Sequence, residues 1–325
     1  MLRVEYRVTP DDLDKALRSD VQLGLRSEPK QLPPKWFYDD RGSALFERIT
    51  ELDDYYLSRV ERELLRHHVT EIARAAQAVE LVELGAGAAV KTRMLLDALS
   101  GSGSLRRYTP LDVSGPFLER AAAGIAEDYP DLDVRAVVAD FDHTPHPTPA
   151  SEARLLALLG STLGNQTPQQ RHAFLSRLRG VMGPTDQVLL GLDLVKSPER
   201  LVRAYDDPDG VTAEFNRNVL RVVNRELEAN FVPEEFTHVA RWNPVAEWVD
   251  IRLRAHRPQH VTIPAVDMSV DFAAGEELCT EISAKFRPEG IRTELAGSGF
   301  SVTGWWTDPD GDFALVLARP VDGGA

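Results

Sequence analysis

The chain has few of the features that mark secreted, membrane-spanning or nucleic-acid-binding proteins. It has one cysteine, Cys279, so no internal disulfide can form, and a reducing cytoplasm is the expected compartment. No apolar run approaches the length of a membrane span, and no positive segment followed by an apolar run opens the chain. The 37 Lys+Arg are outnumbered by 51 Asp+Glu, giving a net charge of -14. This balance argues against a nucleic-acid or anionic-membrane partner, because both need a basic surface.

The eight histidines form no pattern typical of a metal site. His67 and His68 are adjacent, so on a helix they point in different directions. His143 and His146 lie in a Pro-rich loop, where solvent exposure is the simpler interpretation. We therefore assign no metal.

A hydrophobic strand that runs into a glycine turn is the most informative feature present. Residues 82–87 (VELGAG) read as this strand and turn, with Gly85 and Gly87 in the turn and Lys91 near the start of the next helix. Glycines let a ligand approach the backbone closely. Phosphate loops and dinucleotide turns favour a third glycine or a Gly-Lys-Ser/Thr ending, and neither is present. The turn alone would also fit a strand-turn-helix that binds nothing.

Acidic residues at the next two strand ends favour a nucleoside ligand. Asp112 ends the strand after the turn, and Asp140, followed by Phe141, ends the third. Ligands of such folds sit outside the carboxyl ends of parallel strands. Asp112 would accept hydrogen bonds from ribose hydroxyls, Asp140 would meet the adenine amine, and Phe141 would cover the base. This order resembles the class I S-adenosylmethionine (SAM)-dependent methyltransferases, and the acidic chain suits a cationic sulfonium.

The remaining pattern predicts an α/β fold with two domains. Further strands are expected at 154–159 and 187–193, and a β-hairpin at 300–307 and 312–318. A mostly parallel sheet with an antiparallel C-terminal hairpin is the arrangement of the class I methyltransferase, Rossmann-like fold. The segment between the fifth strand and the hairpin is too long for a loop.

Residues of that long segment have their own periodicity and predict a second, α+β domain. The expected helices are 200–205 and 211–227, and the expected strands are 236–242, 248–255, 260–270 and 279–286, the last being a helix in an alternative interpretation. We expect residues 61–196 and 287–325 to form a SAM-binding methyltransferase domain. Residues 1–60 and 197–286 would form a substrate-binding domain.

Several polar side chains are candidates for the site. Tyr38 and Tyr55 lie in an aromatic N-terminal arm, and a buried tyrosine hydroxyl needs a partner. Asn165 follows the fourth strand, where it would orient the methyl acceptor or stabilise its own turn. Glu281 and Ser283 would share one face of a strand and would suit a ring with one donating and one accepting nitrogen. A solvated strand face is the alternative.

Several longer motifs resemble one family, the L-histidine Nα-methyltransferases of the ergothioneine pathway. The likeness spans almost the whole chain. The matching runs are Leu32–Asp39 (LPPKWFYD), Lys91–Asp97 (KTRMLLD), Gly160–Asn165 (GSTLGN), Leu201–Asp207 (LVRAYDD), Phe215–Val219 (FNRNV), Val270–Glu277 (VDFAAGEE) and Trp305–Asp308 (WWTD).

The resemblance implies transfer of three methyl groups from SAM to the α-amino group of L-histidine, giving hercynine and S-adenosylhomocysteine. It implies that Asn165 and Tyr205 hold the substrate carboxylate, and that Glu281 and Ser283 hold the imidazole. The implied catalytic residues are Tyr55, Tyr38 and Asn165. The implied substrate-binding residues are Tyr55, Asn165, Tyr205, Glu281, Ser283, Phe46, Thr162 and Ile251. The implied cofactor-binding residues are Gly85, Gly87, Lys91, Asp112, Asp140, Phe141 and Gly160.

The chain departs from the family pattern at two places. The glycine turn of the family reads more like Gly-Ser-Gly-Thr-Ser-Glu, whereas Ala86, Ala88, Ala89 and Val90 stand here, so side-chain hydroxyl contacts to the cofactor are lost. Ile251 stands where a methionine is expected against the substrate ring. The alternatives are therefore an α-N-methyltransferase for another amino acid such as tryptophan, and a non-catalytic SAM-binding module with a protein partner. We expect a monomer.

Overall fold

The computed structural model describes residues 1–87, 91–140 and 152–321. Its strands, in chain order, are β1 (Leu2–Tyr6), β2 (Glu80–Leu84), β3 (Arg107–Asp112), β4 (Asp133–Val138), β5 (Arg154–Leu158), β6 (Gln187–Asp193), β7 (Phe236–Asn243), β8 (Trp248–Ala255), β9 (Gln259–Ile263), β10 (Met268–Phe272), β11 (Glu277–Ala284), β12 (Phe300–Thr307) and β13 (Phe313–Pro320). Its α-helices are α1 (Pro10–Gly24), α2 (Asp40–Glu51), α3 (Tyr56–Ala76), α4 (Thr92–Gly101), α5 (Gly115–Asp128), α6 (Pro168–Val181), α7 (Pro198–Arg203), α8 (Val211–Leu227) and α9 (Pro288–Gly297).

The chain divides into two compact units. The first, which we call the sheet unit, comprises Met1–Arg7, Leu57–Val195 and Lys285–Ala325. The second, the inserted unit, comprises Val8–Tyr56 and Lys196–Ala284. None of the helices in the described ranges is both long and apolar enough to cross a lipid bilayer.

The sheet unit contains one eight-stranded sheet in the order β1-β4-β3-β2-β5-β6-β13-β12. The first six strands are parallel, and β13 and β12 run antiparallel. Strands β2 (ELVEL) and β5 (RLLAL) are buried along their whole length, charged residues included, as expected of central parallel strands. On one face, strand residues such as Leu156 and Val316 form a core with Phe174 of α6 and Leu295 of α9. The predicted class I methyltransferase fold, with its C-terminal hairpin, is confirmed.

The N-terminal strand corrects the predicted domain boundary. Residues 1–60 were expected in the second domain, but β1 pairs in parallel with β4, with Val4 opposite Ala136, so Met1–Arg7 belongs to the sheet unit. All five residues of β1 are exposed. An edge strand has a neighbour on one side only, so it needs no continuous apolar run, and this one lacks the signal by which the other parallel strands are recognised.

The inserted unit contains a three-stranded antiparallel sheet, β11-β8-β7, and a separate hairpin of β9 and β10. The single strand expected at 260–270 is wrong, because Pro264 starts a 3₁₀ turn and Asp267 adopts a left-handed conformation with φ of 46°. Proline cannot donate to a strand ladder, which explains the break. Helix α8 packs against α2 and β7.

Residues 277–284 form strand β11 and not the alternative helix. Cys279 of this strand donates its backbone N–H to Lys30 and accepts one from Leu32, so the N-terminal arm continues the ladder. Burial raises the pKa of the Cys279 thiol to about 11.

Candidate functional site

The glycine turn after β2 has the backbone that its sequence predicts. Gly85 and Gly87 have φ values of 72° and 52°, a left-handed region that favours glycine. Among the described residues, no atom lies within 4 Å of a β-carbon added to Gly87. The N–H groups of Gly85 and Ala86 are used by the Leu111 carbonyl, which ties the turn to the end of β3.

Asp112, the last residue of β3, fixes the same turn from the other side. One carboxylate oxygen accepts the Gly87 N–H at 3.1 Å, and the other accepts the Ser114 N–H at 3.0 Å. Burial raises the pKa of this carboxyl above its ordinary value, against the effect of these hydrogen bonds. Asp140 lies two residues beyond the end of β4, whereas Phe141 lies outside the described residues.

The loop after β5 contains two successive left-handed residues. Gly160 has φ of 72° and Ser161 has φ of 58°. Ser161 Oγ accepts the Asp193 N–H at 3.0 Å, which links this loop to the end of β6. A 3₁₀ turn, Thr162–Asn165, follows, and the Thr162 hydroxyl donates to the Leu159 carbonyl at 2.8 Å. Gly160, Thr162 and Asn165 are thus brought to the carboxyl end of one strand.

Two buried glutamates in this region are not among the predicted site residues. Glu61 of α3 has no solvent exposure; it pairs with Lys91 and accepts the Gly160 N–H at 2.7 Å. Glu83 of β2 accepts a hydrogen bond from the Tyr108 hydroxyl at 2.6 Å, and Thr92 Oγ1 lies 2.8 and 2.7 Å from its two oxygens. Burial raises the pKa of Glu83 to about 7.

Aromatic candidates of the inserted unit form a continuous row. Ring centroids are 5.6 Å apart for Tyr38 and Phe46, 6.2 Å for Phe46 and Tyr55, and 6.1 Å for Tyr55 and Tyr205. Phe215 of α8 lies 5.4 Å from Tyr38 and 5.8 Å from Phe46, although it was not among the predicted site residues. Neighbouring ring planes within the row are steeply inclined, at 72° to 80°, an edge-to-face geometry that is favourable for aromatic pairs.

Polar candidates lie beside one end of this row. The hydroxyls of Tyr205 and Ser283 are hydrogen-bonded at 2.7 Å, so two residues assigned to opposite ends of the substrate are in direct contact. Glu281 lies opposite Ile251 in the β11–β8 ladder, and Ser283 lies opposite Val249. The ladder is regular from Glu281 to Ser283, which places both side chains on one strand face.

A second layer of polar residues supports Tyr205. His238 Nε2 is 2.7 Å from the Tyr205 carbonyl, and its Nδ1 is 2.8 Å from Asn216 Nδ2. Asn216 Nδ2 also donates to the Arg252 carbonyl at 3.0 Å, so this atom must be the amide nitrogen. His238 is therefore neutral, accepting at Nδ1 and donating from Nε2. Burial lowers its pKa, which favours the same neutral form.

Comparisons with known proteins decide the family. The pattern of the histidine-specific, SAM-dependent methyltransferases matches residues 17–320. The histidine N-alpha-methyltransferase of Mycobacterium tuberculosis is 54% identical over 303 residues, 93% of this chain and 94% of its own. The enzyme of the same name from Mycolicibacterium smegmatis is 53% identical over 308 residues, 95% of this chain and 96% of its own. The chain belongs to the histidine-specific, SAM-dependent methyltransferases.

A fungal relative connects this methyltransferase family to a pathway. Ergothioneine biosynthesis protein 1 of Neurospora crassa is 31% identical over 263 residues, which are 76% of this chain and 29% of that protein.

The expected SAM dependence is confirmed. The strand ends of the sheet unit fit this cofactor, because they combine a glycine turn with the Asp112 carboxylate, and Asp140 lies two residues beyond β4.

One acidic cluster of the methyltransferase lies at the same edge of the sheet, beside the carboxyl end of β6, where Phe313 pairs with Asp193. Ligand atoms of Asp308, Asp310 and Asp312 lie within 4.8 Å of one another in the turn between β12 and β13. Asp308 Oδ1 accepts the N–H groups of Asp312 at 2.8 Å and Phe313 at 2.7 Å. This carboxylate therefore serves the hairpin turn.

Proposed function

We propose that this protein transfers three methyl groups from SAM to the α-amino group of L-histidine, giving hercynine in a step of ergothioneine biosynthesis. The observation that carries the proposal is the placement of Glu281 and Ser283 on one face of β11, with Ser283 bonded to Tyr205 at the end of the aromatic row. This set offers a carboxylate, hydroxyls and ring faces, which are the groups that an imidazole and a methylated amine require.

The polar pair on β11 suits a neutral imidazole, which has one N–H and one bare nitrogen. Glu281 would accept the ring N–H, and the Ser283 hydroxyl would donate to the bare nitrogen. The Tyr205 hydroxyl would then donate a hydrogen bond to Ser283 Oγ, at 2.7 Å. Tyr205 would reach the substrate carboxylate only when that hydrogen bond opens. Ile251, directly opposite Glu281, would pack against the ring.

The aromatic row suits the nitrogen that is methylated. SAM supplies an electrophilic methyl group on a sulfonium. The α-amino group attacks only as the neutral amine, so the nitrogen must lose a proton before each of the three transfers. Tyr55 and Tyr38 would lie near this nitrogen. Their ring faces would attract the methylated ammonium cation, which becomes larger with each transfer. A fixed carboxylate would pair with one protonated form and hinder the next step.

On the cofactor side, we propose roles for the strand ends of the sheet unit. Asp112 would accept ribose hydroxyls in addition to fixing Gly87, and Asp140 would accept the adenine amine. The backbone of Gly85 and Gly87 would face the amino-acid part of SAM. The resemblance also assigns Asn165 and Thr162 to substrate and Gly160 and Phe141 to cofactor, and these assignments remain proposals.

Mass spectrometry of a reaction with histidine and SAM tests the function directly. Successive mono-, di- and trimethylated histidine is the expected product series. Parallel reactions with tryptophan test the alternative that Ile251 leaves open, a larger ring in the same place. Preference for tryptophan, or SAM binding without any product, would refute the proposal.

Exchange of Glu281→Gln tests the ring contact. The KM for histidine should rise about tenfold or more, since a charge-assisted hydrogen bond is lost. The KM for SAM should stay unchanged. Glu277→Gln is the matched control on the same strand, because Glu277 pairs with Arg254 and Arg241. An unchanged KM for histidine in Glu281→Gln would contradict the assigned role.

We also propose that the protein acts as a cytoplasmic monomer. The net charge of -14 argues against a nucleic-acid partner. Light scattering after size-exclusion chromatography tests the oligomeric state.

A further inference from the structure

Glu61 of α3 contacts two loops, at the carboxyl ends of β2 and β5, through its single carboxylate. Oε2 pairs with Lys91 Nζ, and Oε1 accepts the Gly160 N–H at 2.7 Å. The Glu61 side chain has no exposed surface, whereas Lys91 retains 25%. A carboxylate this deeply buried is costly unless each oxygen has a partner, and both oxygens have one.

The two contacts tie Glu61 to two neighbouring loops. Lys91 is the residue that precedes α4, just after the glycine turn, so pairing with Glu61 sets where that helix starts. Gly160 begins the left-handed loop after β5. A β-carbon added to Gly160 would lie 3.7 Å from Lys91 Nζ, so Lys91 and this loop are also neighbours.

Strand β6 approaches Glu61 so closely that only glycine fits. A β-carbon added to Gly191 would lie 1.9 Å from Glu61 Oε1. The missing side chain of Gly191 therefore makes the space that the carboxylate occupies. The loops that follow β2 and β5, and Gly191 of β6, therefore all lie next to the Glu61 carboxylate. Glu61 belongs to α3, which precedes all three strands in the chain.

We propose that Glu61 is a positioning residue of the SAM site, which holds Lys91 and the Gly160 loop at the separation that the cofactor requires. The proposal rests on the assignment of Lys91 and Gly160 to the cofactor under the proposed function. Glu61 acts through these two residues and does not itself touch the cofactor or the substrate.

Calorimetry with S-adenosylhomocysteine, in the absence of histidine, tests this role. Glu61→Gln keeps an acceptor for the Gly160 N–H but removes the charge that holds Lys91. The Kd for S-adenosylhomocysteine should rise about tenfold, because an ion-paired hydrogen bond is stronger than a neutral one. In steady-state assays the KM for SAM should rise in parallel, with the KM for histidine within about twofold.

Asp186→Asn is the matched control. Asp186 is also a fully buried carboxylate with a cationic partner in the sheet unit, but that partner, Arg154, is the first residue of β5 and lies at the other edge of the sheet. This variant should lower the urea midpoint and leave the Kd for S-adenosylhomocysteine unchanged. Equal losses of affinity in both variants would show a general effect of destabilisation and would overturn the proposal.

Gly191→Ala gives a second, independent perturbation. The added methyl group displaces the Glu61 carboxylate without changing any charge, so it should also weaken S-adenosylhomocysteine binding. A folded Glu61→Gln or Gly191→Ala protein with wild-type Kd would overturn the proposal. If the wild type binds S-adenosylhomocysteine yet makes no methylated histidine, the proposed function fails and this inference stands.

Discussion

Exchange of Glu83→Gln should change how the stability of the protein depends on pH. Glu83 is 5% exposed in the middle of the sheet, and burial raises its pKa from the ordinary 4.5 to about 7. Glutamine has the same shape and stays neutral. Its amide can accept from the Tyr108 hydroxyl and donate to Thr92 Oγ1, so both polar neighbours keep a partner.

The direction of this pH dependence follows from which state of the protein, folded or unfolded, holds a proton on Glu83. Between pH 4.5 and about 7, the folded protein keeps a proton on Glu83 that the unfolded chain has released. The resulting stabilisation is complete below pH 4.5 and is lost as the pH rises through about 7. The shift from 4.5 to about 7 corresponds to about 3–4 kcal/mol, at about 1.4 kcal/mol per unit.

Urea unfolding of both proteins at a series of pH values measures this loss. From about pH 5 to about pH 8, the free energy of unfolding of the wild type should fall by about 2–3 kcal/mol relative to Glu83→Gln. Tyr108→Phe supplies a second test, in which the loss of stability is shifted along the pH axis and not removed. The Tyr108 hydrogen bond lowers the pKa of Glu83, so its removal should move the loss to higher pH. Parallel pH profiles for wild type and Glu83→Gln would refute the reasoning.

Three further predictions concern the inserted unit. Asp207→Ala removes an acceptor for the N–H groups of Val211 (2.9 Å) and of the next residue, at the start of α8, and should lower the free energy of unfolding by about 1–2 kcal/mol in urea titrations. His238→Asn should flatten the rise in stability as the pH increases towards 6.5, because the lowered pKa of His238 makes the folded protein resist a proton that the unfolded chain binds; an unchanged profile would contradict this. In the double-mutant cycle of Tyr205→Phe and Ser283→Ala, the effects on the KM for histidine should be non-additive, since both remove the same 2.7 Å hydrogen bond, and strict additivity would argue that the hydroxyls act separately.

Local sequence patterns are sufficient to predict most of the helices and strands. Helix α8 and strand β8 have the bounds that were predicted, because each has an uninterrupted period of its own. The glycine turn and the hairpin of β12 and β13 also follow from turn residues beside apolar runs. Strand β1 could not be found in this way, since its pattern is weak and its pairing with β4 joins residues about 130 positions apart.

The polar support of the site was beyond the reach of sequence reasoning. Glu61 lies 30 residues before Lys91 and 99 before Gly160, so no spacing rule connects them. His238 and Asn216 meet only because α8 packs on the antiparallel sheet. The resemblance supplied residues expected to touch ligands, whereas the residues that hold them in place depend on tertiary packing. Phe215 lies in the FNRNV motif, but a phenylalanine on an amphipathic helix is ordinarily part of the core, so the motif alone does not mark it as a site residue.

Cys279 has a practical consequence for experiments on this protein. Thiolates, and not thiols, react with maleimides and iodoacetamides, and a pKa of about 11 leaves this sulfur almost wholly protonated at neutral pH. A second cysteine placed on an exposed surface would therefore be labelled selectively, without first replacing the native one. A single fluorophore or spin label on either unit would then report on ligand-induced changes in an otherwise unmodified polypeptide.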